Sequence, residues 1–406
     1  MTGQADSGLK RDLIFISLGH GVFALGQWAI VSAIAKVAGL EAMAVFGLTL
    51  AIANPIYFLA NMALRVAFAS DAGRDFTFGD YWLARVAGLL AAAFAMGIAA
   101  LLTVGAHGID GASALLLFAL IKSADGLFDL LYGARQREGS TMAIAISLLL
   151  RALLAPAACL AGLLLADGAL WAGLAGWGTA AVALFLLREA VGIRVRLRAE
   201  PAVAGARAVI IKAWPLGVGA ALASLETAIP RYVIEWEMEP GALGYFTGVF
   251  FFFQASVVVS NAFGSAASAH LGRAHAADDR RGFLRMTGML ALLGAGLGVC
   301  GVAFAIVLGP WALAVIYTPE YAAYGTVLTL TMAAAGLRFI ASFLQYALVA
   351  AKRFRTHMLL HMVLATTAGV VAPPLVFHYG MEGAALSLIV VGAVQVCLLI
   401  GLMARR

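Results

Sequence analysis

Charge is scarce in this sequence. Asp, Glu, Lys and Arg make up 12% of its 406 residues, against 63% hydrophobic residues. A soluble chain carries about twice that charged fraction, about 25%. The scarcity excludes an ordinary water-soluble domain. Long apolar runs of about 20 residues recur along nearly the whole chain, as a polytopic membrane protein requires. The runs do not alternate apolar and polar, which excludes a membrane barrel and leaves helices. Cysteine is also scarce. Cys159, Cys300 and Cys397 lie inside apolar runs without metal-ligand spacing, and read as small buried apolar residues. No extended linker, low-complexity tract or soluble domain is present. The short polar start, residues 1–11, precedes a run with no small-residue cleavage site, so that run reads as a retained span.

Catalytic signatures are missing too. There is no GxxxxGK[ST] phosphate loop, and no HExxH, CxxC or GxSxG. The longest outer loop, about Gly309 to Tyr321, offers Glu320 alone, and EWEME (Glu235 to Glu239) reads as a solvated loop. The chain therefore reads as a non-enzyme. The net charge of +6 sits in short loops between spans, which argues against nucleic acid.

What is present is a pattern of twelve apolar spans: 13–36, 42–67, 80–104, 112–134, 141–165, 168–190, 211–234, 241–267, 284–309, 323–350, 356–378 and 382–403. Lys10, Arg11, Arg74, Arg135, Arg137, Arg194, Arg196, Arg198 and Arg207 fall in loops on one side. Arg273, Arg280, Arg281, Lys352, Arg353, Arg355, Arg405 and Arg406 continue that set, while the alternate loops hold only Lys36. Basic loops stay inside, so both termini are expected in the cytoplasm.

The halves 1–200 and 201–406 match weakly. Phe46, Asn61, Arg85 and Gly88 recur as Phe246, Asn261, Arg285 and Gly288, and Ala67 and Ala69 as Ala267 and Ala269. Further on, Lys122, Asp129, Arg137 and Met142 align with Arg338, Gln345, Arg353 and Met358. Two six-span lobes starting on the same side predict parallel repeats related by an axis along the membrane normal, a common transporter architecture.

Seven ionisable residues lie deep in spans: Lys122, Asp125, Asp129, Arg151, Glu226, Arg231 and Arg338. Each costs about 2.5–3.5 kcal/mol at a helix centre, so they are expected to face one another or a watery cavity. Lys122, Asp125 and Asp129 at i, i+3 and i+7 form one helical stripe, along which Lys122 can pair with Asp125. Arg338, Ser342 and Gln345 repeat that stripe. Glu226 and Arg231 flank Pro230, where a kink could free a carbonyl. Arg65 and Arg85 sit near span ends and line an inner mouth or snorkel. If each of the three carboxylates neutralises one cation, at least one deep positive charge remains. A cationic cavity suits an anionic substrate, and Arg suits phosphate. The lone membrane histidines His20 and His361 more often make interhelical hydrogen bonds than carry protons. Asn54-Pro55 reads as a kink, and the aromatic run Tyr245 to Gln254 as packing or lipid contact.

Three stretches then stand out: AKVAGLEAMAVFGLTLAIANPI (Ala35 to Ile56), IKSADGLFDLLYGARQREGSTMAIAIS (Ile121 to Ser147) and LETAIPRYVIEWEMEPGALGYFTGVFFFFQ (Leu225 to Gln254). In their order, over almost the whole chain, they resemble the polysaccharide-biosynthesis flippases of the multidrug/oligosaccharidyl-lipid/polysaccharide exporter superfamily. The resemblance implies a V-shaped pair of six-helix lobes with a cationic cavity in the bacterial inner membrane. It implies alternating-access movement of an undecaprenyl-diphosphate-linked oligosaccharide to the outer leaflet, for surface polysaccharide such as lipopolysaccharide. Polymerase and glycosyltransferase partners, membrane lipid and a monomeric state go with it. The cavity cations carry over to Arg231 by motif and to Lys122 by position. Arg151, Arg338, Arg65 and Arg85 join them on burial or placement alone. Where the family often has Glu in the fourth helix, this chain has Ala124 then Asp125. No cofactor is implied. Coupling to H+, Na+ or the membrane potential is open through Asp125, Asp129 or Glu226. The alternative is a cation-coupled small-molecule exporter of the same superfamily.

Overall fold

A computed structural model describes residues 2–70, 75–190, 193, 202–256, 280–350 and 354–404. Arg74, Arg194, Arg196, Arg198, Arg273, Lys352, Arg353, Arg405 and Arg406, with the repeat partners Asn261, Ala267 and Ala269, lie outside them. The described chain is helical, with no strand among the described residues. The helices are α1 (Thr2–Ala33), α2 (Gly39–Asn61), α3 (Leu64–Ser70), α4 (Phe78–Arg137), α5 (Thr141–Leu165) and α6 (Leu170–Leu184). After them come α7 (Val203–Glu237), α8 (Ala242–Ser256), α9 (Arg280–Ile316), α10 (Gly325–Ala350) and α11 (Phe354–Ala404). Wider π-helical turns join α1 to α2 (Ile34–Ala38) and extend α6 (Phe185–Glu189), and a 3-10 turn (Pro319–Tyr324) precedes α10.

Among the described residues, eight helical stretches are long and apolar enough to cross a membrane. Three of them are too long for a single crossing. At 1.5 Å per residue, the 60 residues of α4 would reach about 90 Å, three times the hydrocarbon thickness. Gly108 breaks α4 at φ 62°, and Gly380 breaks α11 at φ 57°. Between α1 and α2, Gly39 adopts φ 86°. Only glycine takes such angles at little cost. The expected outer loops AHGIDG, HYGMEG and KVAGLEA are thus helical, each interrupted at a single glycine.

Pro55 lies inside α2 without ending it. The break comes later, at Met62 and Ala63, both left-handed at φ 46° and 49°. Close packing holds it there. A Cβ on Gly88 would come 2.6 Å from the Ala60 carbonyl oxygen, and one on Gly217 2.8 Å from that of Leu59. At the start of α4, Thr77 and Asp80 form a reciprocal cap: the Asp80 amide donates to Thr77 Oγ1 at 3.2 Å, and the Thr77 amide to Asp80 Oδ2 at 2.9 Å. Each bond satisfies a helix-end donor. The other oxygen of Asp80 accepts from the Ala202 amide at 3.1 Å.

The chain packs as two compact units, Met1–Ala221 and Leu222–Arg406, and the boundary falls inside α7. In the first unit, Ala206, Val209 and Ala213 of α7 join Leu64, Phe68, Tyr81 and Leu130 in one apolar cluster. In the second, Ala341, Leu344, Leu360, Leu364 and Leu399 form the counterpart. Large apolar side chains cover the outside as well: Leu101, Leu102, Phe94 and Val307 are each more than 70% exposed. Water would not tolerate that skin, and lipid does. The protein is a multi-pass membrane protein.

Candidate functional site

The first unit holds an open pocket of about 230 Å³. It has room for a phosphate-sized group. Its charged lining comes from three helices: Arg65 of α3, Lys122, Asp125 and Asp129 of α4, and Arg151 of α5. Two glycines let α4 approach the α2–α3 break. A Cβ on Gly126 would meet Leu89 at 2.8 Å and Asn61 Oδ1 at 3.0 Å, and one on Gly133 the Arg65 carbonyl oxygen at 3.0 Å.

Asp129 holds two guanidinium groups. Arg85 donates to its Oδ2 at 3.0 Å, and Arg65 Nη1 stands 3.8 Å from Oδ1. The Arg85 side chain is fully buried and also donates to Asn61, while its Nε has no partner. Arg85 is therefore a buried member of the site rather than a snorkelling end residue. Arg151 lies over Phe23 and Phe128, 4.7 and 4.4 Å from the ring centroids, and donates to Asp125.

Sequence spacing allowed Lys122 to pair with Asp125, but Asp125 is taken by Arg151. The reason is the lean of helical side chains toward the N-terminus. Lys122 lies back over Phe118, one turn earlier, with Nζ 5.2 Å from the ring centroid. Among the described residues it makes no ion pair within the cluster. Tyr57 closes the same wall, its hydroxyl donating to the Ala119 carbonyl at 2.7 Å and lying 2.9 Å from Ser123 Oγ.

The second unit gathers a different cluster. Glu226 of α7 is 1% exposed. Its Oε1 accepts from Arg338 of α10 at 2.8 Å, and its Oε2 lies 3.2 Å from His361 Nδ1 of α11. Gln345 reaches His361 at 2.7 Å and His357 at 2.9 Å. Among the described residues, no hydrogen bond or ion pair brings Arg231 to this group. It is 2% exposed, lies 4.6 Å over the Phe250 ring and donates to the Thr227 carbonyl at 3.3 Å. The helix α7 continues through Pro230.

The buried acid Glu189 escaped sequence reasoning. Glu189 is fully buried and accepts from Arg135 and, at 2.9 Å, from Ser147, which lies 2.8 Å from Tyr132. Its place at the end of an apolar run disguised it as a loop charge. His357 was hidden in the same way.

No family model matches the chain. Over 196 residues it is 24% identical to a Staphylococcus aureus capsular polysaccharide biosynthesis protein, CapF, covering 48% of this chain. The match spans about half, 49%, of that curated relative's length. Among solved structures, an inward-facing multidrug-resistance MATE transporter of the MOP superfamily aligns with TM-score 0.78 at 12% identity, covering 94% of this chain and 95% of that one. The inward closed lipid II flippase MurJ aligns with TM-score 0.68 at 14% identity, covering 96% and 87%. The fold is that of MOP-superfamily transporters.

Proposed function

We propose that the protein is a flippase of the polysaccharide-exporter kind in a bacterial inner membrane. It moves an undecaprenyl-diphosphate-linked oligosaccharide from the inner to the outer leaflet by alternating access, with both termini in the cytoplasm. The observation that carries this reading is Lys122, a cation at the cavity wall that makes no salt bridge within the cluster among the described residues and lies over Phe118. Three cations and two carboxylates line the cavity, and Arg85 stands behind Asp129. An ammonium is a compact donor for a phosphate oxygen. The cavity takes the diphosphate end of the substrate, and the polyprenyl tail stays in lipid. The capsule-synthesis relative and the lipid II flippase fold support the same reading.

The MATE alignment favours a second reading, a cation-coupled exporter of small molecules. Its cationic substrates would be repelled by Lys122. Depletion in the native cell separates the two. Lipid-linked oligosaccharide should accumulate on the inner leaflet while drug sensitivity stays unchanged. Unchanged surface glycan with raised drug sensitivity would replace the flippase with the exporter.

A further inference from the structure

The second-unit cluster contains a group that can take up a proton if a single side-chain amide, that of Gln345, turns over. Gln345 Nε2 lies between the Nε2 atoms of His357 and His361. In this orientation the amide has one hydrogen for each ring, so both Nε2 atoms accept. Each neutral imidazole then carries its hydrogen on Nδ1. That places the His361 Nδ1–H on Glu226 Oε2 at 3.2 Å, the remaining donor-acceptor match in the chain. With Glu226 ionised and Arg338 charged, the pair sums to zero.

Turning the Gln345 amide by 180° replaces its two hydrogens with the lone pairs of Oε1. The same positions then suit an Nε2–H on each ring. His361 would hold Nδ1–H toward Glu226 and Nε2–H toward Gln345, which is an imidazolium. His357 would stay neutral and move its hydrogen from Nδ1 to Nε2. The net change is one proton added to the Nε2 lone pair of His361, and the cluster gains one positive charge.

The geometry points to His361, braced by Glu226 and Gln345, as a site that binds one proton. Burial makes the carboxylate necessary. His361 and Glu226 are each 1% exposed, and an imidazolium there would be untenable without an opposing charge. His357 is half-buried and lies on the other side of Gln345.

Among the described residues the surrounding charges are these. From α7 come Glu226 and Arg231, the latter turned onto Phe250. From α10 comes Arg338, and from α11 His357. Arg285 of α9 is exposed. Ile229, Ala291, Leu344, Leu360 and Leu364 supply apolar packing around this region. A proton on His361 competes with Arg338 for Glu226, so proton uptake loosens the Arg338 ion pair. The inference concerns proton binding and stands whatever the transported substrate is.

Solid-state nitrogen NMR of the full-length protein in lipid bilayers tests it, with His357 and His361 kept as the sole histidines. At pH 8.5 both rings should be neutral with Nδ1 protonated. Between pH 8.5 and 5.5 one ring should become doubly protonated while the other changes tautomer. In Glu226→Gln, the doubly protonated fraction at pH 6 should fall about tenfold or more, since an opposite charge at this distance stabilises the cation by at least that factor. Two neutral rings across the whole range would overturn the assignment. So would titration in the wild-type cluster that Glu226→Gln leaves unaltered. The wild-type titration is decisive even if the variant fails to fold.

Discussion

The two units carry the same layout with different chemistry. On α4, Lys122 and Asp129 stand seven residues apart, and on α10 Arg338 and Gln345 do the same. In the first unit the carboxylates are on this helix, and guanidinium groups reach them from elsewhere. In the second the helix brings the cation, and the carboxylate, Glu226, comes from α7. One exchange explains another. Arg85 is fully buried because Asp129 holds it. Its repeat partner Arg285 is exposed, and Gln345 at the position of Asp129 has no charge to draw a guanidinium inward. Matching positions in the two halves of the sequence carry different signs. Among the described residues, one unit has a cation outside the ion pairs at its pocket, and the other has a closed cluster around Glu226.

The largest expected effect comes from removing the shared carboxylate of either unit. Glu226→Ala strands Arg338 and His361 in the interior and should cost about 3–5 kcal/mol, read as a large loss of thermal stability in detergent. Asp129→Ala strands Arg85 in the same way. The combined Asp129→Ala, Arg85→Met variant should recover most of that loss, because apolar replacement of a buried pair is often neutral. No recovery in the double variant would show that Asp129 matters for something other than Arg85.

Helix contacts compare the units next. In the first, a Cβ on Gly26 would come 2.6 Å from the Ala152 carbonyl oxygen, and in the second a Cβ on Gly298 would come 2.6 Å from Gly336 Cα. Gly26→Leu and Gly298→Leu should each destabilise by about 1–3 kcal/mol through overpacking, as chemical or thermal unfolding can measure. A neutral result at either would mean that its helix pair, α1–α5 or α9–α10, separates easily.

A smaller loss, about 1 kcal/mol, is expected for Ser147→Ala, which removes the hydroxyl between Tyr132 and Glu189. Lys122→Ala should be the mildest for stability, within about 1 kcal/mol, because no ion pair is lost. A large drop for Lys122→Ala would place it among the structural charges.

Much of this was legible in the sequence. Apolar runs located the helices because lipid demands continuous hydrophobicity, and the α4 stripe located the first cluster because helical spacing puts i, i+3 and i+7 on one face. Pairing was not legible. Asp125 chose Arg151 over Lys122 through side-chain lean and two aromatic rings that sequence spacing does not encode. The break at Met62–Ala63 was hidden because neither residue favours a left-handed backbone, and neighbouring helices impose it. Glu189 and His357 sat at span ends, where composition cannot separate a buried group from a loop. His361 looked solitary because its partners lie 16 and 135 residues away.

The central claim is that Lys122 meets an anionic head group. Reconstituted into proteoliposomes, the protein should move undecaprenyl-diphosphate-linked oligosaccharide across the bilayer. Lys122→Ala should reduce that rate at least about tenfold, the worth of one charge-assisted hydrogen bond, and Lys122→Arg should restore much of it. A Lys122→Ala protein that is stable and moves the lipid at the wild-type rate would contradict the account.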